Sequence, residues 1–364
     1  MRDKNIDIIK GIGIVLIVAG HALCPYSYWF VSWFVQIFFI ASGYVYNHKY
    51  SESIIGGGQL LTKRIKSLYI PWLVINFIYI CCNNMFIKFN ILTNNPAFLE
   101  AERGNFYGID RILSVEGFFI SLKKAILFQG AQKACGAIWF LATLFLVEIV
   151  YWGLEYICRK IGGRNSILIF DMTLLAIYGM SVHFTINEII DTSGYKLNQV
   201  GLSLFIFHLG SKFRDFSKTK KLDPLFLCFV SLSVMYVINY LKIGRVNYAR
   251  GDIKSGVYLF ICSMAGWFLL YGISEIVLYS DNILSRFFIY LGKHTLFILL
   301  LHQISFKFIT LIQVYVYREP EYMLAAFPVL YDTGSWWIAY TIIGIVVPLC
   351  IEKIFNMMKV RLHR

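Results

Sequence analysis

Charge, proline and paired cysteine are all scarce in this chain. Only 15% of its 364 residues are Asp, Glu, Lys or Arg, against about 25% in an ordinary soluble domain. With seven prolines as well, a soluble globule and a disordered chain are excluded. The eight cysteines, at 24, 81, 82, 135, 158, 228, 262 and 350, show neither C-x-x-C nor metal-ligand spacing. Most lie in apolar runs, where cysteine behaves as a small hydrophobe. A disulfide scaffold is therefore excluded and no metal is expected. No internal repeat is visible, which argues against a transporter built from matched halves. The first apolar run, 6–23, is too long for a signal-peptide core and has no A-x-A after it. His21 stands where a lipoprotein site at Cys24 would need an apolar residue. A retained first helix is expected.

Apolar residues are what the chain has in excess: 58% are hydrophobic and 17% aromatic, with 31 Phe and 24 Tyr. Long apolar runs with few charges must satisfy their backbone inside lipid, and helices do this within a single segment. Ten runs stand out, at 6–23, 29–46, 67–87, 136–157, 166–184, 199–213, 224–242, 256–279, 293–315 and 335–357. The expected fold is an all-α polytopic membrane protein with about ten transmembrane helices, forming one integral-membrane domain over 1–364. The net charge of +13, from 34 basic and 21 acidic residues, tests the orientation. With the N-terminus in the cytoplasm most basic residues fall on the cytoplasmic side. Half of the outer ones lie in the long loop 88–135, which counts little for orientation. Both termini are then cytoplasmic, and insertion accounts for most of the excess without nucleic acid. The long outer loop holds Asn94-Asn95-Pro96, a charged stretch Glu100–Arg111 and a candidate interfacial helix near Phe118–Phe128. It either covers a site or acceptor, or is a solvated connector.

An ionisable group inside lipid costs several kcal/mol unless paired or wet, so each marks a candidate site. Lys10 and His21 lie eleven residues apart, on one helix face and roughly 16 Å apart along the axis. Lys10 is either a snorkelling anchor or a ligand contact; His21 is either a packed histidine or a reacting group. His302 lies nine residues beyond Lys293, roughly 14 Å deep, so the two histidines are expected to converge at one depth. Gln36, about 19 Å from Lys49, falls near that layer. Ser42-Gly43 with Gly11, Gly13 and Gly20 opens space for a neighbour or a ligand. Glu148 and Glu275 are pocket residues or partners of Lys and Arg. His183, His208 and His294 fall near span ends. Lys63-Arg64-Ile65-Lys66, followed by Pro71, is an orientation signal and lipid anchor, or a site for a phosphorylated cytoplasmic ligand.

Five stretches in this order resemble the membrane acyltransferase 3 family, which includes bacterial polysaccharide O-acetyltransferases. Asp7–His21 is similar to the family's Arg/Lys-x10-His helix, and Phe38–Tyr44 to its FF-x-x-SG segment. Lys63–Pro71 resembles R-x-x-R-L-x-x-P, Ile138–Phe145 the WFL-x-x-LF helix start, and Leu291–His302 the G-x-x-TL…H segment. Two departures stand out. Lys10 replaces a frequent arginine, keeping the charge but losing bidentate geometry, and Ser67 stands at the second arginine of R-x-x-R, beside Lys66.

The resemblance implies an acetyl-CoA co-substrate, an extracytoplasmic or lipid-linked glycan acceptor, a lipid environment and a bacterial inner (cytoplasmic) membrane location. Lys10, Lys63, Arg64, Lys66 and Lys212 would hold the CoA phosphates, with Ser42, Gly43, Gly11 and Gly13 lining the path of its arm. His21 would be the general base that deprotonates the acceptor hydroxyl. His302 or Gln36 would orient it or stabilise the oxyanion, and an acyl-histidine route stays open. A lipid-linked oligosaccharide flippase or transporter would instead show a carboxylate relay and broken helices. A glycan polymerase would place functional arginines outside, where Arg103, Arg111, Arg245 and Arg250 lie. Tyr26, Tyr28, Trp29, Trp336 and Trp337 stack on sugars or form an interfacial belt.

Overall fold

In the computed structural model of the protein, residues 3–95, 111–130, 132–189, 194–241, 246–248, 251–280 and 282–362 are described. Among them the regular secondary structure is helical, and Asn247 pairs with Asp252 in an isolated bridge. Fourteen α-helices follow one another among the described residues: α1 Lys4–His21, α2 Gln36–Tyr44, α3 Ile54–Arg64, α4 Ile70–Lys88, α5 Val115–Ile126, α6 Trp139–Ile161 and α7 Ser166–Ile186, then α8 Leu197–Thr219, α9 Pro224–Tyr240, α10 Gly256–Tyr279, α11 Ile283–Lys293, α12 Thr295–Ser305, α13 Lys307–Val316 and α14 Trp336–Leu362. Several of their starts carry side-chain caps. Ser53 accepts from Gly56 N, Ser114 from Gly117 N and Asp223 from Phe226 N, with Pro224 at the first helical turn.

Six helical stretches among the described residues are long and apolar enough to cross a bilayer: Ile54–Lys88, Ala134–Ile161, Gly163–Ile186, Gly256–Tyr279, Thr295–Val316 and Trp336–Lys359. Pro224–Tyr240 is apolar but shorter. The protein is thus an all-helical, multi-pass membrane protein. The helix expected near Phe118–Phe128 is present as α5; residues 96–110, with Pro96 and most of the charged stretch, lie outside the described residues.

Three expected spans differ in detail. The second is helical only over Gln36–Tyr44, about 14 Å, and is too short to cross the roughly 30 Å of hydrocarbon. The bulky aromatics before it fold as turns instead: Trp33 Nε1 donates to Trp29 O at 2.8 Å, and the Trp33 ring fills the space beside Gly266. The third begins earlier, at Ile54, because Ser53 caps a helix there. A π turn, Ile65–Tyr69, fuses α3 to α4. Its cause is Pro71, which has no N–H for the Ser67 carbonyl and whose ring would collide with it. The wider turn, closed by Ile70 N to Ile65 O, relieves that conflict. The ninth is interrupted at Phe306, between α12 and α13.

The chain divides into two compact units. The first comprises Met1–Gly13, Tyr28–Pro71 and Phe140–Lys293; the second comprises Ile14–Ser27, Trp72–Trp139 and His294–Arg364. In the first, α2 packs on α8, α7 on α8, and α9 on α10. The α2–α8 contact is backbone on backbone. A Cβ at Gly43 would stand 1.8 Å from Phe207 O, and one at Gly210 1.9 Å from Ile40 O. Small residues permit this approach, which van der Waals contact stabilises inside lipid. Gly43→Val is expected to push the two helices apart and destabilise the fold by about 1–3 kcal/mol, read as a lowered melting temperature in detergent. An unchanged melting temperature would contradict this packing. In the second unit α12 packs on α14 and on the 3-10 turn Lys133–Ile138. Lys307 Nζ donates to Leu324 O and Ala326 O at 2.8 and 2.7 Å, tying α13 to the 3-10 turn Glu321–Ala325.

Candidate functional site: a stacked histidine pair

His21 is the last residue of α1 and His302 lies in the last turn of α12. Both belong to the second unit. Their imidazole rings stack face to face, with centroids 5.1 Å apart and planes 3° from parallel. The side chain of His302 is fully buried, and its Nδ1 lies 3.0 Å from both Ile298 O and Leu299 O. Carbonyl oxygens only accept, so in the neutral ring Nδ1 carries the hydrogen and Nε2 carries the lone pair. Nε2 is buried with no hydrogen-bond partner, and so are both ring nitrogens of His21. Three of the four nitrogens of the pair are therefore unpartnered. Buried polar groups are paired in the great majority of cases, so a cluster of exceptions asks for an explanation. Phe306 packs edge-on against His302 at 5.9 Å, and Tyr340 against Phe306 at 5.3 Å, so apolar walls fix the ring plane. The two rings thus meet by stacking and not through a ring N–H bond.

Two further groups in this unit escaped the sequence reading. Gln303 Oε1 accepts from Ala137 N at 3.3 Å, holding the start of the Trp139 helix to α12. Lys307 is buried and spends its ammonium on the two carbonyls described above. A lysine and a glutamine within a few residues of His302 in an apolar run were the available signal.

Gln36, the basic cluster and the glycines expected along the CoA path sit in the first unit. Gln36 is fully buried, and neither atom of its carboxamide has a hydrogen-bond partner. Arg64 Nε pairs with the carboxylate of Glu148, which is 1% exposed. Lys10 and Lys63 lie within electrostatic reach of the same carboxylate. The structure thus gathers Lys10 from α1, Lys63 and Arg64 from α3, and Glu148 from α6. Glu148 is a partner of a base, and Glu275 accepts from the amide of Asn5. Lys63 and Lys66 are exposed, with Lys63 Nζ 5.9 Å from the Tyr50 ring centre. Ser42 is buried, and Gly43 is taken up by the α8 backbone. The space opened by Gly11 and Gly13 is likewise filled, by the Phe288 carbonyl and the Phe38 ring. These glycines admit neighbouring helices.

At the ends of α7 lie two cavities. One, about 820 Å³, is lined by Phe184, Lys196, Asn198, Gln199, Asp252 and Lys254 among others. The other, about 350 Å³, includes Phe170, Asp171 and His208. Among the expected outer aromatics, Tyr26 meets Trp337 edge-on at 6.4 Å, and Trp336 Nε1 donates to Tyr317 OH at 2.8 Å. Among the described residues no three His, Cys, Asp or Glu side chains converge as metal ligands would.

Long apolar helices, with a stacked imidazole pair in one unit and a basic cluster in the other, define a multi-pass membrane protein built around buried polar chemistry. The family is shown by sequence: a family model described as an acyltransferase domain matches residues 3–353. The chain belongs to this acyltransferase 3 family, and it is a membrane acyltransferase. No curated protein and no solved structure matches it.

Proposed function

We propose that the protein moves an acetyl group from cytoplasmic acetyl-CoA to a hydroxyl of an extracytoplasmic or lipid-linked glycan, in the bacterial inner membrane. In this reading the chain crosses the bilayer ten times, its second passage made by the short α2 together with the turns before it, and both termini are cytoplasmic. The observation that carries it is the histidine pair with three unpartnered ring nitrogens. An alcohol is a poor nucleophile until a base takes its proton, and neutral imidazole suits that task near pH 7. His21, with both nitrogens unpartnered, is the proposed general base. His302, with Nδ1–H held by two carbonyls, keeps Nε2 as a second proton acceptor and stacks on His21 to fix its ring. An Nε2 lone pair cannot donate to an oxyanion, so that role falls to an amide, and Gln36 is the proposed donor.

Lys10, Lys63, Arg64 and Lys66 are the proposed contacts of the CoA phosphates. The test is His21→Ala in purified protein. Acetyl transfer from acetyl-CoA is expected to fall by about 10²–10⁴-fold. The stabilisation given by acetyl-CoA is expected to persist, about 2.7 kcal/mol at 100-fold excess over Kd. Undiminished transfer by that variant would sink the assignment of His21. Absence of any thermal shift in the wild type would sink the donor.

A further inference from the structure

The smaller cavity holds a second constellation, in the first unit and made of residues the reading above does not use. His48 starts a 3-10 turn, His48–Glu52, capped by Asn47, whose side chain accepts from Lys49 N. Arg214 donates to the carbonyls of Tyr44 and Tyr46, which pins the corner before it. The His48 ring lies edge-on to Tyr46 at 5.4 Å. So placed, His48 Nδ1 lies 2.8 Å from Glu155 Oε1 and His48 Nε2 lies 2.7 Å from Ser211 Oγ. A carboxylate only accepts, so in the neutral ring Nδ1–H donates to Glu155 and Nε2 accepts the hydroxyl proton of Ser211. Hydroxyl, imidazole and orienting carboxylate are thereby in the order and at the spacing of a serine nucleophile with its base, an arrangement recognised by geometry and not by chain position.

Ser211, His48 and Glu155 all line the cavity of about 350 Å³, which lies in the size range of small-molecule sites. Arg159 holds the Glu155 carboxylate through Nη2 at 2.6 Å and Nε at 3.1 Å. Lys212 Nζ pairs with Asp171 at 2.6 Å, and both cations border the same space. Three carboxylates, Glu155, Asp171 and Asp215, share this lining with the two cations, so an oxyanion forming beside Ser211 would have to draw a cation from its carboxylate partner.

We propose that Ser211, His48 and Glu155 form an acyl-accepting triad that takes the acyl group of a thioester as a serine ester. Ser211 Oγ attacks the thioester carbonyl carbon while its proton passes to His48 Nε2. The tetrahedral intermediate collapses with cleavage of the C–S bond, and the departing thiolate takes the proton from His48. The products are O-acyl-Ser211 and a free thiol. A water or alcohol oxygen then attacks the ester, its proton goes to His48, and the C–O bond to Ser211 breaks as that proton returns to Oγ. The products are an acid or a new ester, with the hydroxyl restored. Glu155 is the positioning residue for the imidazole.

The test uses a fluorophosphonate probe on the full-length protein in detergent, with peptide mass spectrometry to locate the adduct. Wild-type protein is expected to be labelled at Ser211, and incubation with acetyl-CoA should add one acetyl mass to the same peptide. Ser211→Ala should lose both adducts. His48→Gln keeps a hydrogen-bonding group opposite Ser211 but has no base, so labelling should slow by about 10²–10⁴-fold at an unchanged melting temperature. Where Ser211→Ala fails to fold, Ser211→Cys serves instead, and its introduced thiol should be alkylated by iodoacetamide faster with His48 present than in the His48→Gln background. A folded wild type unlabelled at Ser211, or equal labelling with and without His48, would overturn the triad. Labelling at Ser211 without transfer of acetyl from acetyl-CoA would keep the triad and assign it another thioester.

Discussion

Replacing His302 with alanine is expected to lower acetyl transfer by about 10²–10⁴-fold while leaving acetyl-CoA binding within about twofold of wild type. The argument rests on what each ring nitrogen does. Nδ1 of His302 is held by Ile298 O and Leu299 O, both 3.0 Å away, so the ring cannot flip without breaking those bonds. Nε2 then faces a buried space as a proton acceptor. Two amide variants separate the roles. In asparagine the side-chain amide falls near the position of Nδ1, so His302→Asn retains the anchor to the helix carbonyls but has no base. In glutamine the amide falls near Nε2, and His302→Gln retains a polar group there without titratable chemistry. If His302 reacts, both variants lose transfer. If it only holds His21 in place by stacking, at 5.1 Å between centroids, His302→Phe should preserve most of the activity. Full activity in His302→Asn would contradict a proton-accepting role for Nε2.

What the sequence made legible follows from which forces act locally. Helices α6, α7, α9, α10 and α14 begin within about three residues of their apolar runs, because lipid leaves a buried backbone no other partner than its own. The meeting of the two histidines was also legible, since residue counts placed them at one expected level and their rings stack; the break at His294, between α11 and α12, was not. The short α2 was not, because the aromatic turns around Trp29 and Trp33 have the same composition as a membrane span. Nor was the filling of the glycine positions, for a glycine pattern does not say whether a helix or a ligand comes close. Partners far apart in the chain were beyond reach. Arg64 pairs with Glu148 across 84 residues, and His48 with Ser211 across 163. No spacing rule of a single helix connects such residues.

The Arg64–Glu148 pair carries the second large effect, on stability rather than turnover. Glu148 is 1% exposed and Arg64 17% exposed at the side chain, so replacing one leaves the other charge buried without its partner. Such a loss costs about 3–5 kcal/mol, whereas replacing both with apolar groups of similar volume is often neutral or stabilising. Glu148→Gln and Arg64→Met are each expected to lower the melting temperature sharply, and a double variant with Glu148→Met and Arg64→Met to recover most of it. A double variant no better than either single one would show that the pair is not a mutually dependent unit. The same variants test the anion site. Glu148 stands within reach of Lys10 and Lys63 and offsets part of their charge. Glu148→Gln should therefore bind acetyl-CoA at least as tightly as wild type at low temperature, despite its weaker fold. Lys10→Gln and Lys63→Gln should do the reverse, leaving the melting temperature within a few degrees while weakening acetyl-CoA binding by about tenfold each, or 1.4 kcal/mol. If all three variants changed affinity in the same direction as stability, the cluster would be a structural anchor of α1, α3 and α6, and the CoA phosphates would have to bind elsewhere.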